Sequence, residues 1–235
     1  MPICGRTVVA LIPARGGSRG VKRKNLRVVA GRPLIEFTLM AASKSHYIDS
    51  VHVSSDDDEI LGCGRALGAN TVVRPAEYAS DTASAVEVVN HFLTVIPRQL
   101  RKQDPYIVYL QPTSPLRTAS HIDEALEMMV AQKAHTLVSV TELKASPFKS
   151  FVLDSNRRLQ SLFDEKLSNA QRQDLPSVYI PNGAIYVFRV SDFIERGGFP
   201  SNGSLPFIMS EKDSVDVDTE EDIHRLKNIL ETSNG

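Results

Sequence analysis

The sequence predicts an α/β fold, a three-layer sandwich in which helices cover both faces of a mainly parallel sheet. Three observations carry this. Short apolar runs rich in Val and Ile recur along the chain, stretches with helical spacing separate the first four, and polar Gly/Pro-rich segments follow several runs directly. Continuously apolar strands are those buried on both faces, the situation of parallel strands joined by helical crossovers.

The first run, Thr7–Pro13, reads as a buried strand that leads into the polar segment Pro13–Asn25. Leu34, Phe37, Thr38 and Ala41 then step at i, i+3, i+4, i+7, one face of a helix. Ser50–Ser54 is the second strand, Ser54–Glu59 its polar exit, and Ile60, Leu61, Ala66 and Leu67 repeat the helical spacing. Thr71–Val73 is the third strand. A helix through Val86, Val89, Asn90 and Leu93 follows, with Asp81 or Thr82 as its expected N-cap. Tyr106–Leu110 is the fourth strand, with the Pro-stiffened exit Gln111–Arg117; Thr136–Val140 and Ala184–Val190 complete the set. Between them Leu143–Pro181 breaks the rhythm. It holds a predicted hairpin, FVLDSNRRLQSLF, turning at Ser155–Asn156, and reads as an excursion from the sheet. A final helix begins near Thr219-x-x-Asp222, with Ile223, Leu226 and Leu230 on one face. With no internal repeat or low-complexity linker, residues 1–235 are expected to form a single domain, with 143–181 as an excursion within it.

At 235 residues, 42% of them hydrophobic, the chain can bury a self-sufficient core. The formal net charge of -1 argues against a nucleic-acid or membrane-surface binder. No apolar run reaches a transmembrane length, and the apolar start runs into a basic Gly-rich loop without a signal-peptide cleavage pattern. Cys4 and Cys63 are too few for a disulfide framework, so incidental thiols of a reducing cytoplasm are expected. The histidines lack zinc-hydrolase spacing. Charge is nevertheless segregated. Met1–Ile35 holds eight cations and no acid, whereas Glu211–Asp222 holds seven acids and one lysine.

In parallel α/β sheets ligands bind beyond the carboxyl ends of strands, which puts three polar exits on one edge. The first, Pro13-Ala14-Arg15-Gly16-Gly17-Ser18-Arg19-Gly20, has glycines that let backbone N–H groups approach an anion. Arg15, Arg19 and Lys24 can neutralise phosphate oxygens. It is neither a Walker A sequence nor GxGxxG; the alternative is a solvated basic turn. Arg74, at the end of a strand, precedes small hydroxyl residues that suit a pyrimidine or ribose, or that cap the next helix. Gln111 ends the fourth strand with a group that donates and accepts, unless it is an exposed turn residue. Asp216 and Asp218 alternate in SVDVD, so an extended chain would point both carboxylates to one face, as two ligands for Mg²⁺. The alternative is that Asp218 caps the following helix.

Taken in order, LIPARGGSRGVKRKN, RPAEYASDTAS, LQPTSPLRT, PNGAIY and SVDVDTEED resemble the N-acylneuraminate cytidylyltransferase family, which includes CMP-legionaminic and CMP-pseudaminic acid synthetases. The resemblance implies a Rossmann-like nucleotidyltransferase fold and a homodimer. It implies Mg²⁺-dependent transfer of CMP from CTP to the anomeric hydroxyl of a nine-carbon 2-keto-3-deoxy sugar acid, with release of pyrophosphate. It also implies roles. Lys24, Arg15 and Arg172 would be catalytic. Arg15, Gly16, Ser18, Arg19, Lys24, Asn25, Arg74 and Ser84 would bind the nucleotide. Gln111, Thr113, Lys149, Arg172 and Asn182 would bind the sugar, with Lys149 or Arg172 reaching the partner's site. Asp216 and Asp218 would hold the metal. Lys22 and Arg23 stand where members often have neutral residues and read as surface charges. Ile180 and Ser146 depart from an arginine and a histidine found in some members, which touches the choice of sugar rather than the reaction. Residues 1–35 contain no aromatic, against a nucleic-acid-binding module.

Overall fold

The computed structural model describes residues 3, 5–18 and 20–232. Cys4 and Arg19 lie outside the described residues. β1 (Val8–Pro13) is apolar throughout and buried to its last residue, the condition of a central strand. A small hairpin, β2 (Val28–Val29) with β3 (Arg32–Pro33), leads to α1 (Leu34–Ser43). Next come β4 (Ser50–Ser55), α2 (Asp58–Ala66), β5 (Asn70–Val73), α3 (Ala85–Val95) and α4 (Arg98–Lys102). β6 (Tyr106–Tyr109), α5 (Ala119–Ala131) and β7 (Thr136–Glu142) complete the parallel part of the wind. The excursion carries β8 (Phe151–Leu153), β9 (Leu159–Ser161) and α6 (Glu165–Asn169). β10 (Tyr179–Arg189), α7 (Val190–Arg196), β11 (Leu205–Ile208) and α8 (Glu220–Thr232) end the chain.

Seven strands form one sheet in the order β11-β7-β10-β6-β1-β4-β5. β10 runs antiparallel to both its neighbours; the other pairs are parallel. From β1 the chain winds outward to β4 and β5, then returns to place β6 on the other side of β1. The strand order therefore reverses between β1 and β6, where a crevice opens at their carboxyl ends. Two apolar clusters cover the two faces, one packing α1, α2 and α5 on the sheet, the other α3 and α7. The expected three layers are present. Among the described residues no helix is long and apolar enough to cross a membrane.

The structure differs from the sequence expectation in three respects. The β2–β3 hairpin, α4, α5, α6, α7 and β11 form where the sequence gives no expected element. The excursion also ends earlier than Pro181, because Tyr179–Pro181 already pairs with β7 ahead of a bulge between Pro181 and Tyr186. Proline is tolerated where the ladder is irregular. The predicted hairpin forms as β8 and β9, apart from the main sheet. The cap of α3 is neither Asp81 nor Thr82. Ser84 Oγ accepts the Glu87 N–H and the Glu87 carboxylate accepts the Ser84 N–H, a complete capping box.

A third cluster decides where the acidic end lies. Val21, from the basic loop, packs with Val29, Leu34, Val215, Val217, Ile223 and Leu226. Full burial of a valine is worth about 1.5–3 kcal/mol. The two charged ends are thus joined by apolar contacts beneath them.

Candidate active site

A cleft of about 420 Å³ lies at the β1/β6 crevice. Arg15, Gly17, Ser18, Lys24 and Asn25 supply one wall, and Arg74, Asp81 and Ala83 a second. Gln111, Thr113, Asp216 and Asp218 also line the cleft. Exits from β1, β5 and β6 therefore converge with the acidic segment, 194 positions from Lys24 at its closest pairing.

The basic loop is held from behind. Buried Asn25 donates from Nδ2 to the Arg15 carbonyl at 2.9 Å, folding the loop back on its start. The Gly16 N–H donates to Asp56 at 2.9 Å, and a Cβ at Gly16 would stand 2.9 Å from the Asp57 side chain. Arg15 pairs with Asp81 at 2.8 Å and also donates to the Ser80 carbonyl. Lys24, little exposed, pairs with Asp218 at 2.8 Å. Arg15, Lys24 and the Gly16 N–H thus each face a carboxylate oxygen. Lys22 and Arg23 lie on the outer side, where Arg23 pairs with Glu59 at 2.7 Å, as surface charges would.

Arg74 is buried along the second wall. Its guanidinium donates to the carbonyls of Ser54 and Tyr78, and burial draws its pKa below the ordinary arginine value. It ties the exits of β4 and β5 together while lining the cleft. Ser84 does not line the cleft; its hydroxyl is engaged with Glu87.

Burial alternates over Val215-Asp216-Val217-Asp218, valines inward and aspartates outward, as expected for an extended segment. The Val217 N–H donates to the Thr113 carbonyl at 2.8 Å. Asp216 is open to solvent through the cleft mouth, yet the protein around it, with Asp218 nearby, holds its carboxyl above the ordinary aspartate range; a Thr113 hydrogen bond and Lys24 act against this. The capping alternative for Asp218 is resolved by geometry. Thr219 and Asp222 cap α8 reciprocally, and Asp222 also accepts the Asp218 N–H, so the Asp218 carboxylate is left for the cleft. Among the described residues no three His, Cys, Asp or Glu side chains gather as a metal cage. Two carboxylates facing a Gly-rich basic loop would suit a hard cation with room for further oxygen ligands.

Gln111 lies over Gly183, which has φ +74° and whose Cβ would fall 2.4 Å from Gln111 Oε1. Only glycine fits there without strain. Asn182 faces away from the cleft. Its Oδ1 accepts from Ser139 Oγ and the Ala184 N–H, and its Nδ2 donates to Ser214 Oγ at 2.9 Å. Lys149 and Arg172 lie on the excursion and do not line this chain's cleft. Sequence reasoning missed two participants. Asp81 is the partner of Arg15, and Arg117 lies fully buried under the Gln111 turn.

Known proteins agree with this architecture. A family model described as cytidylyltransferase matches residues 9–196. The chain is 32% identical over 228 residues to an N-acylneuraminate cytidylyltransferase of Escherichia coli O18:K1:H7, covering 97% of this chain and 53% of that one. It thus spans about half the length of the N-acylneuraminate relatives it matches. It is 30% identical over 220 residues to a pseudaminic acid cytidylyltransferase of Campylobacter jejuni subsp. jejuni serotype O:2, covering 93% of this chain and 94% of that one. A solved structure of CMP:2-keto-3-deoxy-manno-octonic acid synthetase complexed with CTP superposes with a TM-score of 0.70 at 16% identity, over 97% of this chain and 99% of that one. That likeness is one of fold. By its sequence match along most of its length, the chain belongs to the cytidylyltransferase family.

Proposed function

We propose that this chain transfers CMP from CTP to the anomeric hydroxyl of a nine-carbon 2-keto-3-deoxy sugar acid and releases pyrophosphate. The observation that carries the reading is the meeting of Lys24 and Asp218 at 2.8 Å, beside Asp216 and at the mouth of a Gly-rich basic loop. A phosphate-binding loop and a carboxylate pair thereby share one cleft. The relatives' names, N-acylneuraminate and pseudaminic acid cytidylyltransferase, support an acidic sugar as acceptor.

In this reading the acceptor oxygen attacks the α-phosphorus, the new O–P bond forms as the bond to the β-phosphate bridge breaks, and pyrophosphate departs. Positioning and charge neutralisation do most of the work. Lys24 and Arg15, with Arg19, balance the charge that develops on the phosphates. Arg15 must exchange Asp81 for a phosphate oxygen, and Lys24 must share Asp218, when the nucleotide enters. Gly16, Ser18 and Asn25 shape the loop; Arg74 stands on the cytidine side, and Ser84 acts only by capping α3 through Glu87. Asp216 and Asp218 would hold Mg²⁺, which when bound supplies charge neutralisation at the phosphates. No general base is assigned.

Gln111 and Thr113 face the acceptor, and Asn182 acts behind them. Lys149 and Arg172 fit the reading if two copies associate through the excursion, so that each completes the other's cleft. Phe151, Val152, Leu153, Leu159, Leu162 and Phe163 leave an apolar patch there, each side chain 44–70% exposed, more than isolated surface residues require. A homodimer would cover it.

The test is incubation with CTP, Mg²⁺ and a panel of N-acetylneuraminic, legionaminic, pseudaminic and 3-deoxy-manno-octulosonic acids, with the product read by mass. One CMP-sugar is expected. Absence of turnover with every 2-keto-3-deoxy acid overturns the reading.

A further inference from the structure

Arg117 is the largest fully buried side chain among the described residues, 2% exposed. Nothing in the proposed chemistry uses it. A buried guanidinium is costly unless its donors are satisfied and its charge compensated. Among the described residues no carboxylate offsets its desolvation, and burial draws it down to about 9, so it stays charged at neutral pH. Its partners are three neutral oxygens. One nitrogen, Nη1, donates both to the Gln111 carbonyl at 3.2 Å and to the Ala184 carbonyl at 2.8 Å. Nη2 donates to the Thr38 hydroxyl on α1.

Those oxygens belong to the elements that define the Gln111 side of the cleft. Gln111 lies two residues beyond β6, and Ala184 follows Gly183 in the irregular stretch of β10. Ser114 Oγ adds a parallel link to the Asn182 carbonyl at 3.2 Å, and the Gln111 amide rests on Gly183. One cation thus spans two antiparallel strands just past the end of their own ladder, whose last pair is Tyr109 with Tyr186. A rigid, planar, multi-donor group suits that task, and a lysine in its place would have a point charge in the wrong position.

We propose that Arg117 is a positioning residue for the acceptor half of the reaction: its guanidinium sets the height of Gln111 over Gly183 and so fixes the amide that meets the sugar acid. The inference rests on the acceptor reading above. It separates the two substrates, because the nucleotide-side groups come from the β1 and β5 exits, which Arg117 does not touch.

The experiment compares Arg117→Lys, Thr38→Val, Gln111→Ala and the Arg117→Lys/Gln111→Ala double variant. Calorimetry reads CTP affinity without acceptor, and initial rates read acceptor KM and kcat. Arg117→Lys should lower acceptor kcat/KM by on the order of tenfold or more, as a displaced positioning group does, while CTP affinity stays within about twofold. The double variant should be no worse than Gln111→Ala alone, since the two act through one group. Additive losses, an unchanged acceptor term, or an equal loss of CTP affinity would overturn it. If Arg117→Lys does not fold, Thr38→Val decides by the same split at smaller amplitude. Wild-type turnover is the control: without it the function reading fails, whereas turnover with no split fails Arg117 alone.

Discussion

Replacing Gly20 with Ala tests whether the basic loop and the acidic segment must stay in register. A Cβ at Gly20 would stand 2.0 Å from the Asp218 carbonyl oxygen and 3.2 Å from its carbon. A carbon–oxygen contact settles at about 3.3 Å or more, so the segments must separate by roughly 1.3 Å. Both sides of the clash are backbone, and no rotamer absorbs it. Asp218 is held by its N–H to Asp222 and Val217 by its N–H to the Thr113 carbonyl at 2.8 Å, so the shift carries the carboxylates away from Lys24. Overpacking of this kind costs about 1–3 kcal/mol, which in a chain of this size lowers Tm by about 2–12 °C. A displacement near 1 Å in a catalytic constellation costs about a hundredfold in rate. Pyrophosphate release at saturating Mg²⁺, with circular dichroism to establish folding, measures both. Gly62→Ala is the control, since its Cβ meets nothing within 4 Å. A folded Gly20→Ala variant within about twofold of wild-type kcat/KM would refute the reasoning that position of these two segments governs activity.

Three further outcomes are expected. Asp216→Asn, nearly isosteric, should keep the fold and lose turnover by about two orders of magnitude or more at any Mg²⁺ concentration, because one of two charged ligands is gone; titration of rate against Mg²⁺ checks it. Ser84→Ala breaks the α3 capping box, so urea unfolding should show a loss of about 0.5–2 kcal/mol. Its CTP affinity, read by calorimetry, should stay near wild type because that hydroxyl is spent on Glu87. His52 is buried against Phe92, and burial holds its imidazole below the ordinary value of 6.5. The unfolded chain then binds a proton that the folded chain refuses, so stability falls as pH drops below about 6.5 and levels off only beneath the lowered folded value. Thermal melts from pH 7.5 to 5 should show this, and His52→Gln should flatten part of the slope; an unchanged slope would remove His52 as its source.

Local patterns were readable where one physical constraint dominates. β1 is legible because both faces of a central strand must be apolar. SVDVD is legible because an extended chain alternates its side chains. The excursion announced itself as a loss of α/β rhythm. Some missed pieces lack the usual local signal, and others depend on groups far away in sequence. α5 opens at Thr118 immediately after a Pro-rich exit, and its capping box uses His121 where a Glu or Gln is the usual signal. β11 is a short edge strand whose ladder is supplied by β7. The direction of β10 follows from its two partners, not its composition. Ser84 rather than Asp81 caps α3 because Glu87 stands three residues beyond it and because Asp81 is drawn away to Arg15.

The site divides the same way. The sequence by itself determined the chemistry at hand: a Gly-rich basic loop after a buried strand, a stiffened exit at Gln111, and two aspartates on one face. Hydrophobic periodicity and charge are properties of neighbouring residues, so they can be read in one dimension. Only the tertiary structure decided that the cationic and anionic ends meet. Val21, Val215 and Val217 bury themselves together and bring Lys24 to 2.8 Å from Asp218. Only it decided that Asn182 turns inward and that Arg117 lies buried beneath Gln111. Those outcomes depend on which distant groups satisfy each buried donor and acceptor, and that pairing exists only once the sheet has closed over them.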